Sequence, residues 1–383
     1  MLLRFRRTLV AAVVAATVAV GVGASAAAGS QVAVTGPPPG SAAWRADTVL
    51  GVRLPDPVGA APAEVAAFFA GLTPAQRDAL AVRHPLVTGN LDGVPVEVRY
   101  RANALALEEE RRREQAAAED GTLSAAGRAQ ALARAQRYAA LAGRQILAFD
   151  PRGRGQVVEV FGELSPGSRP AVVVPGSDVD LTEYDRDGDP YAGPAGMARA
   201  LRAATGGQVP VIAWAGYTTP VGVGMDAATA DLAVAGGARL GRFLDGLAAR
   251  TGAATVFCHS YGSVVCGRAD LGPRQAAGLV VFGSPGMETA RAADLRVPVW
   301  AAERNDADWI GRVPHVSVLG LGHGADPTGT GFGARVVSSA GSHGHSGYFA
   351  PGTASLANFA ALALGDTAGV RCADRDPGCH DAR

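Results

Sequence analysis

Residues 144–366 predict an α/β domain, a mostly parallel sheet with helices on both faces, preceded by a helical N-terminal region at 62–143. Three observations carry this. From Gln145 onward, short apolar β-rich runs alternate with helical segments, the pattern of βαβ units. In the middle of that series VFCHSYGSVVCG (256–267) compresses a strand, a tight turn and the start of a helix. Upstream, the patterning is helical instead.

The elements follow in chain order. MLLRFRR is basic, and the apolar run TLVAAVVAATVAVGVGA follows it. Ala24-Ser25-Ala26 and Ala26-Ala27-Ala28 have the small-x-small form of a cleavage site, so residues 1–28 read as a signal peptide and the protein as secreted. An uncleaved membrane anchor is the alternative. Residues 29–61, with TGPPPG at 35–40, read as a flexible, exposed lead-in. In 62–143, Thr73-Pro74-Ala75-Gln76 offers a cap, a proline at the first helical position and a capping-box glutamine. Glu108–Arg112 and Glu109–Arg113 are i,i+4 pairs on a solvated helix face.

QILAFD and QVVEVFGEL, joined by PRGRG, predict a hairpin at a sheet edge. After them come PAVVVPG, a helix around 194–205, VPVIAWAGY, a helix around 226–249, TVFCHS, a helix from 261, GLVVFGSPG and VPVWAAER. The loop 178–196 is long and polar, the expected lid. In the tail, 367–383, Cys372 and Cys379 are placed to close a small disulfide loop. Cys258 and Cys266 are expected as buried thiols. A helix beginning at Ser260 would carry Cys266 roughly 9 Å along its axis, beyond the ~7 Å limit for bridged Cα atoms.

The formal charge is zero, and every basic residue is Arg. No basic excess points to nucleic acid. No carboxylate/His cluster has metal-ligand spacing, so Asp178 and Asp180 read as loop or capping residues, and neither metal nor cofactor is expected.

The turn carries the chemistry. A serine hydroxyl attacks only when a positioned base takes its proton. A strained strand–turn–helix elbow, G-x-S-x-G, exposes that hydroxyl. Here Ser260 is the nucleophile, Gly262 keeps the motif, and Cys258 replaces its first glycine with another small apolar residue. Chain order then asks for Asp and afterwards His. Asp308, followed by an apolar pair, is the expected orienter, with Asp306 second. His345, just before a capped C-terminal helix, is the expected base. His323, at the end of a strand HVSVLGL, and His343 are the rivals. The oxyanion should be met by the N–H of Tyr261 and, after VVVPG, the N–H of Ser177.

With these residues in place, the chain resembles an actinobacterial α/β-hydrolase family of unknown function, alpha/beta hydrolase 8. The matching elements are VVVPGSD, WAGY at 214–217, HSYGS at 259–263, FGSPG at 282–286, DWI at 308–310, HGADP at 323–327, FGAR at 332–335 and GHSGYF at 344–349. The segment 72–103 is similar to the helical region that precedes this domain. The resemblance covers roughly 72–364. It implies an α/β-hydrolase fold, with Ser260, Asp308 and His345 as nucleophile, orienter and base. The family usually has Gly where this chain has Cys258.

The expected function is a secreted serine hydrolase cleaving carboxylic esters, esterase- or lipase-like, through an acyl-enzyme; a peptidase or acyltransferase would use the same triad. The alternative from another class is a non-catalytic interaction protein on the same scaffold, its N-terminal helices meeting a partner. Expected partners are a small-molecule or lipid ester and the cell envelope, with no nucleic acid.

Overall fold

The computed structural model describes residues 30–381. The expected signal peptide, residues 1–28, lies outside them. No helix among the described residues is long and apolar enough to cross a membrane.

The strands among the described residues are β1 (Ile146–Asp150), β2 (Gln156–Phe161), β3 (Ala171–Val174), β4 (Val211–Ala215), β5 (Ala254–His259), β6 (Ala276–Phe282), β7 (Gly286–Thr289), β8 (Val299–Ala302), β9 (His323–Gly324) and β10 (Arg335–Val337). Eight form one sheet in the order β1-β2-β4-β3-β5-β6-β8-β10. β1 and β2 are an antiparallel hairpin at the edge, β2 is antiparallel to β4, and all remaining pairs are parallel.

Side chains alternate across this sheet, and both faces are covered. Ala171 and Val173, Phe257, and Val280 and Phe282 point to one core. There the helices Pro194–Ala204 and Ala354–Leu364 pack. Val172 and Val174, Val256 and Cys258, and Leu279 and Val281 point to the other core. That face is covered by the helix Asp231–Ala248 and by the short helix Gly262–Arg268 that follows Ser260. Burial on both faces is why the strands read as continuous apolar runs.

The order of connections reverses at β3. The chain leaves β3 for β4 on one side and then places β5 on the other. In such sheets, the crevice outside the carboxyl ends at this reversal is where ligands bind. Ser177 follows β3 and Ser260 follows β5, so both loops open into it.

Helices Pro62–Ala70, Pro74–Arg83, Pro85–Asn90, Val96–Glu119 and Ala125–Leu141 precede the sheet. Thr73 and Gln76 form the full capping box. Buried Asp92 ties this region to the sheet-covering helix, meeting Arg99 at 3.2 Å and Arg239 at 2.5 Å.

Three expectations differ from the structure. Residues 30–61, the described part of the expected lead-in, are not free: Ser41–Ala46 is helical, and fully buried Trp44 donates its indole N–H to Pro55 O at 2.7 Å. The Pro/Gly-rich stretch is exposed at Thr35, Gly36, Pro37 and Gly40, as expected, but Arg152 holds the carbonyls of Gly36 and Pro37. The loop 178–196 is pinned instead of lid-like. Arg154 holds Asp180 at 2.9 Å, Tyr184 is buried with its hydroxyl on Glu159, and Arg144 holds Asp185 at 2.8 Å. HVSVLGL is no sheet strand; Val318 and Leu321 bond to each other across a tight turn.

Candidate active site

Ser260 sits between β5 and the helix Gly262–Arg268 with φ 52°. For a residue with a Cβ this left-handed conformation costs roughly 1–2 kcal/mol. The surrounding contacts hold it there. Ser260 N–H donates to Phe282 O at 3.1 Å. A Cβ on Gly262 would lie 2.6 Å from Val174 O, and one on Gly176 2.6 Å from Ser260 Cβ. The turn therefore needs glycine at both positions for space, and Gly176 brings the β3 loop against the serine.

Cys258 and Cys266, expected as separate thiols, are joined as a disulfide with Cα atoms 6.5 Å apart. The expectation placed the helix start at Ser260 and ran it onward from the strand. The helix begins at Gly262 and folds back over β5, where Ser263 Oγ reaches the carbonyl of Ser260 at 2.7 Å. That reversal brings Cys266 beside Cys258. Cys372 and Cys379 form a second disulfide that fastens the tail along β10, where Cys372 bridges Val337. His380 stands beside that pair, but the two sulfurs are bonded to each other, which leaves no thiolate to ligate an ion.

His345 and Asp308 meet directly, Nδ1 to Oδ1 at 2.7 Å. The Asp308 side chain is fully buried. Burial alone would raise its carboxyl; the hydrogen bond and positive charge of His345, the Tyr348 hydroxyl and the Ile310 N–H outweigh that and hold it below the usual carboxylate range. Tyr348 donates to Oδ2 at 2.7 Å and Ile310 N–H to Oδ1 at 3.0 Å.

The two loops are clamped together by Asn305, whose amide exchanges bonds of 2.9 and 3.0 Å with Gly344. His345 packs between Trp309 and His259, with ring centroids 4.7 Å from each. His259 immediately precedes Ser260, and its Nε2–H donates to His345 O at 2.9 Å. Burial first, and then the charge of His345, push the His259 ring down to about 3, so it is neutral.

A family model described as alpha/beta hydrolase matches residues 150–318. That stretch is similar to the alpha/beta hydrolases, and the mostly parallel sheet has their fold. The matched stretch contains Ser177, Ser260, Tyr261 and Asp308 and stops short of His345. Two uncharacterized proteins of Mycobacterium tuberculosis, from strains CDC 1551 / Oshkosh and ATCC 25618 / H37Rv, are each 29% identical to the chain over 380 residues. The match covers 82% of this chain and 57% of each relative, so the chain spans little more than half the length of these relatives.

The other hydrolase candidates are placed differently. Ser177, Ser260, Tyr261 and His323 line one cavity of about 410 Å³. His323 is buried with both ring nitrogens engaged, Nε2 2.7 Å from Ala227 O and Nδ1 3.1 Å from Glu288 Oε1. Neither is left to take a proton from Ser260. Asp306 and His343 are exposed and stand outside the Asp308–His345 pair. The N–H groups of Ser177 and Tyr261 have no acceptor among the described residues.

Sequence reasoning missed His259, Asn305, Trp309 and Tyr348. Two carried a visible signal: Trp309 in the apolar pair after Asp308, and Tyr348, an aromatic residue one short turn after His345. The amide clamp of Asn305 joins loops 39 residues apart and has no local signature.

Proposed function

We propose that the chain is a serine hydrolase that cleaves carboxylic esters through an acyl-enzyme. Ser260 Oγ attacks the ester carbonyl while His345 Nε2 takes the hydroxyl proton. The N–H groups of Tyr261 and Ser177 meet the oxyanion as the tetrahedral intermediate forms. His345 then protonates the leaving alkoxide, and the carbonyl re-forms as the acyl-enzyme. A water, deprotonated by His345, attacks the acyl carbon and releases the acid and free Ser260. Asp308 holds the imidazole by Nδ1 and stabilises its cation in both halves. Export through residues 1–28 is part of the same proposal.

The observation that carries this reading is the buried Asp308–His345 pair packed against the residue preceding a serine at φ 52°. It is supported by the cavity Ser260 lines and by the unengaged N–H groups beside it. The test is labelling with a fluorophosphonate probe and turnover of p-nitrophenyl esters. Wild type should label and Ser260→Ala should not. Equal labelling of both proteins, or none of wild type, would overturn the assignment.

A further inference from the structure

The cavity beside Ser260 has apolar walls, among them Val223, Pro285, Trp309, Val313, Val316 and Leu321. No carboxylate lines it. Arg312 is its one permanently charged lining residue and has no ion-pair partner among the described residues. Half-buried Asp226, next to Met225, is already engaged by Ser30 Oγ and Gln31 N–H, and exposed Asp306 lies outside the lining.

Two lining side chains, Val223 and Trp309, also face solvent, as do Met225 and Leu319, each two residues along the chain from a lining residue, Val223 and Leu321. Leu319 is 97% exposed. It occupies the tip of a two-residue turn, in which Val318 and Leu321 exchange backbone hydrogen bonds of 2.9 and 3.0 Å. Leu319 and Gly320 have φ of 54° and 82°. Asn-Gly is the usual occupant of such a turn, so leucine here is both strained and fully hydrated. Gly322 N–H donates to Ala228 O at 2.9 Å, tying this turn to the segment that carries Val223 and Met225. Scattered exposed valines elsewhere need no explanation; a strained leucine, a tryptophan and a methionine on the segments that line one cavity form a patch.

We propose that this face docks on an anionic lipid surface and that the ester reaching Ser260 is an acyl lipid drawn from it; the second half rests on the ester-hydrolase reading. Leucine and tryptophan with an adjacent arginine are the chemistry of an interfacial contact. Arg312 meets lipid phosphates, which attract each basic residue near an anionic membrane. The acyl chain then passes between the rim residues into the apolar cavity without crossing water. A protein partner would have to satisfy a polar rim, which these four side chains do not offer.

The test uses full-length Ser260→Ala protein and vesicles of phosphatidylcholine with or without phosphatidylglycerol, read by co-sedimentation. Binding should be about 5-fold tighter with phosphatidylglycerol, the worth of one arginine near an anionic surface. Leu319→Asn suits the turn better than leucine, so the fold is kept. It should weaken binding about 10-fold, and Arg312→Gln should bring the mixed vesicles to the level of phosphatidylcholine alone. On the Ser260-intact protein, Leu319→Asn should lower the ratio of vesicle-borne to monomeric ester turnover by about 10-fold. Failure to bind either vesicle, or undiminished binding by Leu319→Asn, overturns the docking while leaving turnover of p-nitrophenyl butyrate to support the hydrolase. Vesicle binding with no ester cleaved removes the hydrolase reading and the lipid as its substrate, and keeps the docking surface.

Discussion

His345 and His323 each meet a carboxylate close to the turn that carries Ser260, and the two pairs are wired to opposite ends. His345 presents Nδ1 to Asp308 at 2.7 Å, and its Nε2 has no partner among the described residues. His323 spends both nitrogens, one on Glu288 and one on the carbonyl of Ala227, while its ring meets the edge of Tyr261 at 5.5 Å. A histidine beside a serine is therefore not by itself a base. Of the two, only His345 keeps a ring nitrogen without a partner among the described residues, which is why it is the proposed base. The His323 side is scaffold, fixing β9, the segment around Ala227 and the aromatic ring of the residue after Ser260.

The largest effect tests that division directly. His345→Gln and Asp308→Asn should each lower kcat by about 10⁴-fold, the scale seen when a triad base is lost or its orienter no longer fixes the tautomer. His323→Gln, which can still donate to one of the two acceptors, should keep kcat within about 10-fold and act on stability instead. Steady-state hydrolysis of p-nitrophenyl butyrate alongside urea unfolding separates the two outcomes. A comparable loss of kcat in the His323 variant would break the comparison.

Much of this division could be anticipated from residue order, and the reasons for success and failure are physical. Strands β3 to β6 were visible because burial on both sheet faces leaves unbroken runs such as AVVV and LVVF. The elbow was visible because its demands are local: a strand, a positive-φ serine and small flanking residues. Asp308 and His345 were singled out by chain order and by the helix cap after His345, and these are the two that meet. What separates His323 from His345 is not local. It depends on Glu288 and Ala227, which the fold delivers from 35 and 96 residues away. The disulfide at the elbow escaped notice for a similar reason, since moving the helix start by two residues and folding it back converts an impossible span into a 6.5 Å one. Trp44 likewise reads as a residue in a proline-rich leader until the helices it packs against are in place.

That disulfide belongs to the scaffold side of the comparison, because it fixes the helix after Ser260 and leaves His345 untouched. Replacing Cys258 and Cys266 together by Ala should lower the unfolding free energy by about 2–3 kcal/mol, from the chain entropy of a short closed loop. Activity of the protein that remains folded should change no more than a few-fold. Urea titration with activity assayed below the transition checks both. A collapse of kcat at full folding would move the disulfide to the catalytic side.

His259 sits on the boundary, and its effect is the smallest and depends on pH. Its ring is buried against Phe282, and its Nε2–H supports the His345 loop through the backbone. Its pKa falls from the ordinary 6.5 to about 3 on folding. The unfolded chain therefore binds a proton that the folded one refuses between those values, so stability rises with pH across that window and is lost as the pH drops through 6.5. From pH 7.5 to pH 5 this one ring should remove about 2 kcal/mol. His259→Gln keeps a donor within reach of His345 O and has nothing to titrate, so its urea midpoint should depend less on pH by that amount. If the two proteins lose stability in parallel, burial does not hold the His259 ring neutral, and the pH dependence belongs to other groups.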